Sequence, residues 1–163
     1  MFRYRRLLFF GSILLFLSCS KNSSNPTTVY VTTPDPLIDS SAQIIVGRVI
    51  DGDTFVIGIK QDSFSVRILG IDAFEIKHDA RLDSQAVKAH ISIDSAYALG
   101  QAGKHFADSL LSKKAVLLVR DPLQPDFDVY NRLLRHVFYY DGGTTHDFGA
   151  LMIGKSLALV DTL

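Results

Sequence analysis

Three short segments of the chain place acidic and arginine side chains at turns and strand ends. Asp51 and Asp53 flank Gly52 in the first, Arg67 lies in the second, and Arg132 lies in the third. Carboxylate oxygens are the hard ligands that Ca²⁺ prefers, and the arginine fork binds phosphate oxygens in pairs. Each segment alone has an ordinary explanation, because Asp and Gly form turns and exposed strands often carry arginine. The information therefore lies in their joint arrangement.

Taken together and in order, these segments resemble the signature segments of the thermonuclease (staphylococcal-nuclease-like) family. They read VIDGDT at 49–54, VRILGIDAFE at 66–75 and DVYNRLL at 128–134. With weaker similarity elsewhere, the resemblance covers nearly all of residues 44–160. The order of the predicted elements, three strands, a helix, two strands and a short helix, predicts the same fold that the resemblance implies: α+β, mainly β, a five-stranded OB-fold barrel with one main and one short helix. The resemblance also implies an endonuclease that hydrolyses DNA and RNA with little sequence specificity.

The resemblance further implies a metal site. By it, the carboxylates of Asp53 and Asp72 and the backbone carbonyl of Ala73 bind one Ca²⁺, and Asp51 binds metal-bound water. All-oxygen ligands suit this hard cation. The histidines of the chain show no spacing typical of a zinc site.

The catalytic residues that the resemblance implies are Glu75, Arg67 and Arg132. Glu75 orients or deprotonates the attacking water, and the two arginines bind the scissile phosphate. Bidentate contact with phosphate is something that a lysine cannot provide. Tyr130 resembles a residue that contacts the nucleotide, although a tyrosine at a strand end is equally explained by packing.

Two departures from the family pattern lie next to these residues. Phe74 replaces the usual proline, which predicts a looser metal loop because the fixed φ of proline is lost. The segment 76–99 is longer than the usual connection, so substrate access is expected to differ. It has a helical tendency near residues 82–90, but the pattern does not place its elements.

Short apolar runs rich in β-branched residues predict the elements that position these side chains. A polar linker separates the second predicted strand from the third, and a segment with an apolar helical face precedes the fourth predicted strand. A last apolar piece covers 157–160. The predicted strands are 44–50, 54–59, 64–71, 115–119 and 133–140, and the predicted helices are 100–112 and 147–153.

The N-terminal residues have the pattern of an export signal. Three arginines precede an apolar run that is much shorter than the ~20 residues of a membrane-spanning helix. Cys19, the chain's single cysteine, ends a segment that resembles a lipobox, so we predict a lipoprotein signal at 1–19 and lipid on Cys19. Residues 20–43 are polar and predict a disordered tether to the domain at 44–163. Ser20 favours an outer-membrane or surface location.

The net charge of the chain limits how such a barrel can bind nucleic acid. Removal of three signal-peptide arginines leaves 14 basic and 17 acidic side chains, a mature net charge of −3. A local cluster of cations must therefore hold any nucleic acid. The sequence favours a monomeric nuclease with DNA and RNA as substrates, the membrane as its anchor and no evident protein partner. The alternative is a non-catalytic OB-fold module that binds nucleic acid.

Overall fold

Eight strands and three helices make up the described part of the chain. The structure is a computed structural model, and it describes residues 43–59 and 61–161. The predictions for residues 1–42 lie outside these ranges. The strands are β1 (Gln43–Val49), β2 (Thr54–Ile59), β3 (Asp62–Ile68), β4 (Ile71–Ala73), β5 (Ala115–Val119), β6 (Leu133–Asp141), β7 (Thr144–Asp147) and β8 (Ala158–Val160). The helices are α1 (Ala80–Ala89), α2 (Ile93–Leu111) and α3 (Phe148–Gly154).

Five of these strands close into a barrel. β1 pairs with β2, β2 with β3, β5 with β1, and β6 with β5, all antiparallel. A parallel pairing of β3 with β6 closes the ring. The register of β1 shifts between Val46 and Arg48, and such a bulge bends a strand so that it can pair on both sides. The predicted OB-fold-like barrel is therefore confirmed.

The barrel interior explains why these segments become strands. Alternating residues of β2 and β3 point inward, as in Phe55, Ile57 and Val66, which are almost fully buried. Each such side chain contributes about 1.5–3 kcal/mol when it leaves water. Leu111 of α2 and Phe148 of α3 belong to the same core and cover the barrel.

The helices differ from the sequence prediction. Helix α2 begins seven residues earlier than expected, because Ser92 caps its N-terminus by accepting a hydrogen bond from the backbone N–H of Ser95 (3.1 Å). Residues 80–89 form α1, so the described chain contains three helices rather than one main and one short helix. None of these helices is both long and apolar enough to cross a membrane.

The strand prediction at 64–71 was wrong at its end. Gly70 has a positive φ of 79° and makes a turn there, so β3 ends at Ile68 and β4 starts at Ile71. β4 then pairs with β8 in a separate two-stranded sheet. This turn brings Asp72 and Ala73 next to the β1–β2 turn.

A second small core joins α1 and α2 to the loop that follows β4. It contains Leu82 and Ala86 of α1, Ala96 of α2, and Phe74. Phe74 is 3% exposed. This packing fixes the loop to the two helices, and so it opposes the loosening expected from the loss of proline.

Candidate active site

The turn between β1 and β2 orients Asp51 and Asp53. The backbone N–H of Asp51 donates to the carbonyl of Thr54 (3.2 Å), and Asp51 Oδ1 accepts from the backbone N–H of Asp53 (3.1 Å). Gly52 lies at the tip, where an added Cβ would stand 2.7 Å from the Cβ of Ala73. Glycine is therefore required for the turn to lie against β4.

Asp53 and Arg67 form a buried ion pair. Arg67 Nη1 contacts Asp53 Oδ2, and the two residues are 6% and 4% exposed. Asp53 Oδ2 also accepts from the backbone N–H of Ala73 (2.6 Å), and Oδ1 accepts from the hydroxyl of Thr54 (3.0 Å). Both oxygens of this predicted metal ligand are thus hydrogen-bonded within the protein.

Asp72 and Glu75 are joined by an arginine that the sequence analysis did not single out. Arg81 Nη2 contacts Asp72 Oδ1 (2.7 Å), and Arg81 Nε contacts Glu75 Oε1 (2.8 Å). Arg67 Nη2 reaches the same oxygen of Asp72 at 3.4 Å. Arg67 therefore bridges the two predicted ligands, and Arg81 links Asp72 to the predicted base.

The acidic side chains of this cluster influence each other's titration. Burial and then the charge of Asp53 raise the pKa of Asp51 to about 7. Burial also raises the pKa of Glu75 above its ordinary value, with the charge of Arg81 opposing it and that of Asp53 adding to it. Burial acts in the same direction on Asp72, but hydrogen bonds, above all from Arg81, outweigh it and lower its pKa. The carboxylates are thus close enough to repel one another.

Gln85 of α1 fixes the backbone between the predicted ligand and the predicted base. Its side-chain Nε2 donates to the carbonyl of Ala73 (2.8 Å), and its Oε1 accepts from the backbone N–H of Glu75 (2.9 Å). Gln85 is 3% exposed. A buried amide with both ends satisfied holds this loop rigidly.

Asp128 shapes the loop that carries Tyr130 and Arg132. Its Oδ1 accepts from the backbone N–H groups of Tyr130 (2.9 Å) and Arg132 (2.8 Å), and its Oδ2 accepts from Arg132 Nε (2.7 Å). Asn131 has a φ of 60°, a conformation that asparagine tolerates well. Arg132 lies over the ring of Tyr130, with its Cζ 5.4 Å from the centroid, and its Nη1 is 3.5 Å from Thr54 Oγ1.

A cavity of about 390 Å³ opens beside this cluster. Three guanidinium groups of different elements line it, and Tyr130, 75% exposed, stands at its edge. The predicted carboxylates do not line this cavity. Asp53, Asp72 and Glu75 are ion-paired with arginines that do. Its lining includes Arg67, Arg81, Phe127, Tyr130, Arg132 and Asp161.

The predicted site residues thus form one connected group. Asp51, Asp53, Asp72, Ala73, Glu75 and Arg67 belong to the same cluster, and Thr54 links it to Arg132. Sequence reasoning missed Arg81, Gln85 and Asp128. A signal was available for Asp128, because it is the first residue of the segment 128–134 that carries the resemblance.

The oxygen donors of this cluster are of the type that a hard divalent cation takes. In the structure the guanidinium of Arg67 contacts both Asp53 and Asp72, so a cation would have to compete with this arginine for the two carboxylates. The carbonyl of Ala73 keeps one lone pair beyond its bond with Gln85. Within residues 43–59 and 61–161, no three His, Cys, Asp or Glu side chains converge as a ready-made metal site.

Comparison with known proteins gives little beyond this geometry. No protein-family model matches the chain. An uncharacterized protein, MJ1439, of Methanocaldococcus jannaschii is 29% identical over 118 residues, which is 71% of this chain. The chain spans 57% of the length of that relative, whose name states no activity.

Proposed function

We propose that this protein is a calcium-dependent nuclease that hydrolyses phosphodiester bonds of DNA and RNA with little sequence specificity. The observation that carries the proposal is a cavity lined by arginines of separate elements, with carboxylates ion-paired to these arginines behind it. Arg67 of β3 and Arg132 of the loop before β6 line the cavity, and Glu75, in the loop after β4, is ion-paired with Arg81, which also lines it. Such a group is suited to holding a phosphate and activating water beside it.

The arginines stabilise the phosphate in this proposal. Arg132 is held at Nε by Asp128, and its Nη1 is 3.5 Å from Thr54 Oγ1, so its Nη2 is the donor left for phosphate oxygens. Both Nη atoms of Arg67 contact carboxylates. Arg67 therefore contributes its positive charge to the phosphate from the barrel wall. Loss of one preorganised donor to a transition state typically costs ~10²- to 10³-fold in rate.

Glu75 acts on the attacking water. It is the single glutamate among 17 acidic residues. Its carboxylate is therefore one methylene farther from the backbone than the carboxylate of any aspartate in the chain. Its raised pKa makes it a better proton acceptor than an ordinary carboxylate, and Arg81 fixes its orientation.

Asp53 and Asp72 are the residues that would hold Ca²⁺, with the carbonyl of Ala73, and Asp51 would bind its water. A bound Ca²⁺ would supply positive charge for the phosphate and its leaving oxygen. The protein's own residues supply the orientation, since Gln85 fixes the Ala73 carbonyl and Asp51 fixes the turn of Asp53.

A non-catalytic nucleic-acid-binding module is the second candidate. The observation that favours it is the saturation of Asp53 by Arg67, Thr54 and the Ala73 amide. A carboxylate with this many partners is stable without a cation. Cleavage separates the two candidates, because both share the cavity and its arginines.

Export and lipid anchoring belong to the same proposal. The lipobox-like segment at Cys19 implies a mature chain that begins there, carries lipid and is held at the outer membrane or cell surface as a monomer. Mass spectrometry of the protein from the membrane fraction tests it, and an unmodified Cys19 would contradict it.

The nuclease proposal is tested by single-turnover cleavage of DNA and RNA with Ca²⁺ and with chelator. We expect cleavage with Ca²⁺ only, and a loss of ~10² or more in Glu75→Gln. Asp83→Asn is the matched control, since Asp83 is exposed on α1. Arg132→Lys should also lose most of its rate, whereas Arg48→Lys, an exposed arginine of β1, should not. If the wild type cleaves neither DNA nor RNA, the nuclease proposal is overturned and the non-catalytic binding module is the remaining candidate.

A further inference from the structure

Arg81 is the unassigned cation of this site. It is the second residue of α1, whose N-terminus is capped by the side chain of Asp79. Two of its five N–H donors are used, one by Glu75 through Nε and one by Asp72 through Nη2. Among the described residues, no acceptor takes its other three donors. These donors belong to a guanidinium that lines the cavity.

Exposure distinguishes Arg81 from the other two arginines of the cavity. The side chain of Arg67 is 7% exposed and that of Arg132 is 24% exposed, whereas that of Arg81 is 47% exposed. Arg67 has both Nη atoms on carboxylates. A ligand in the cavity therefore meets more free donors on Arg81 than on Arg67.

The position of Arg81 is well fixed despite its exposure. Leu82, Gln85 and Ala86 are buried on the inner side of α1, and Gln85 bonds the loop of Ala73 and Glu75. The two ion pairs then hold the guanidinium in one orientation. A preorganised arginine loses less entropy when it binds a phosphate.

We propose that Arg81 is a phosphate-binding residue of this site, supplied by helix α1 within the segment 76–99. The inference rests on the proposed binding of nucleic acid, but it holds for the nuclease and for the binding module alike. The ligand class is a single-stranded nucleic acid, bound through one backbone phosphate by the free donors of Arg81.

A simpler role for Arg81 would be to neutralise Asp72 and Glu75, and it makes a different prediction. A neutralising charge would raise affinity for every phosphate of the strand by a similar factor. A direct contact would concentrate its effect on one phosphate, and removal of that phosphate and of Arg81 would not be additive.

The test measures binding of labelled oligodeoxythymidine of five nucleotides to the purified full-length chain by fluorescence anisotropy, with chelator present. We expect Arg81→Ala to weaken binding about tenfold, in line with a hydrogen bond to a charged group. Lys88→Ala should bind like the wild type, because Lys88 is exposed on the same helix about 10 Å away. Circular dichroism shows that each variant is folded.

A second series replaces each phosphate of the probe in turn by an uncharged methylphosphonate. We expect one position at which replacement weakens wild-type binding but leaves Arg81→Ala unaffected. Equal losses at every position, or wild-type affinity of Arg81→Ala, would overturn the role of Arg81 while the proposed function stands. Failure of the wild type to bind any probe would also overturn the role of Arg81, whereas the nuclease itself would be overturned only by the absence of cleavage with Ca²⁺.

Discussion

Asp53 and Arg67 show how one pair of residues serves both fold and site. The resemblance assigns them to the cation and to the phosphate, yet in the structure they neutralise each other in the barrel wall. A buried ion pair adds little net stability, but removal of one partner leaves the other charge without compensation. Substitutions of Asp53 therefore affect folding as well as the site.

We expect Asp53→Asn to lower the free energy of unfolding by about 3 kcal/mol, because it leaves Arg67 buried without its main counter-charge. Asp72→Asn should cost about 1 kcal/mol or less, since its main partner Arg81 is half-exposed and can be hydrated. Urea denaturation with chelator measures both. Calorimetric titration of the folded variants should then show weaker Ca²⁺ binding in each. Equal stability of the two variants would contradict this account of the pair.

The residues that sequence reasoning found and missed differ in the kind of signal that they carry. Asp53, Asp72, Glu75 and Arg67 lie in segments whose order resembles a known pattern. Gln85 carries no such signal, because a glutamine in a helix is informative only when its helix face is known to be buried. The pattern of 76–99 did not place α1, so its inner face and its arginine could not be predicted.

Helix α2 illustrates how an element positions the site at a distance. Sequence reasoning began this helix at Gly100, just before the apolar face that starts at Ala102. In the structure Gly100 lies inside α2, where an added Cβ would be 2.8 Å from the carbonyl oxygen of Phe74 and closer still to that of Glu75. The glycine thus lets the helix approach the loop that carries the predicted base.

We expect Gly100→Ala to destabilise the protein by about 1–3 kcal/mol, because the new methyl group must displace backbone atoms. The displaced loop should also move Glu75 from Arg81, so nuclease activity should fall further than the folded fraction does. Thermal unfolding and cleavage rates below the transition measure the two effects. Gly154→Ala is the control, since nothing lies within 4 Å of its added Cβ. Unchanged activity in folded Gly100→Ala would show that the loop tolerates the shift.

At the scale of the molecule, the strands were predictable and the closure of the barrel was not. Apolar runs and turn residues placed four of the five barrel strands within one residue at each end, for example 54–59 and 115–119. The parallel pairing of β3 with β6 joins segments that are more than 60 residues apart, and periodicity contains no information on such pairs. The barrel was inferred instead from the order of the elements, because three strands, a helix, two strands and a short helix are typical of a small Greek-key barrel.

The charge of the whole molecule leads to the last prediction. Because the mature chain predicted from the export signal would carry a net charge of −3, we expect its binding to nucleic acid to depend on the few cations of the cavity. With Arg67 and Arg132 acting on one phosphate and Arg81 on a second, two phosphates of a single strand are neutralised, so log K against log salt concentration should have a slope of about −1.4. Anisotropy titrations in chelator over a range of salt measure this slope, and Lys88→Ala should leave it unchanged. A slope of about −5 or steeper would require a basic surface beyond the cavity, and the three arginines would not explain binding.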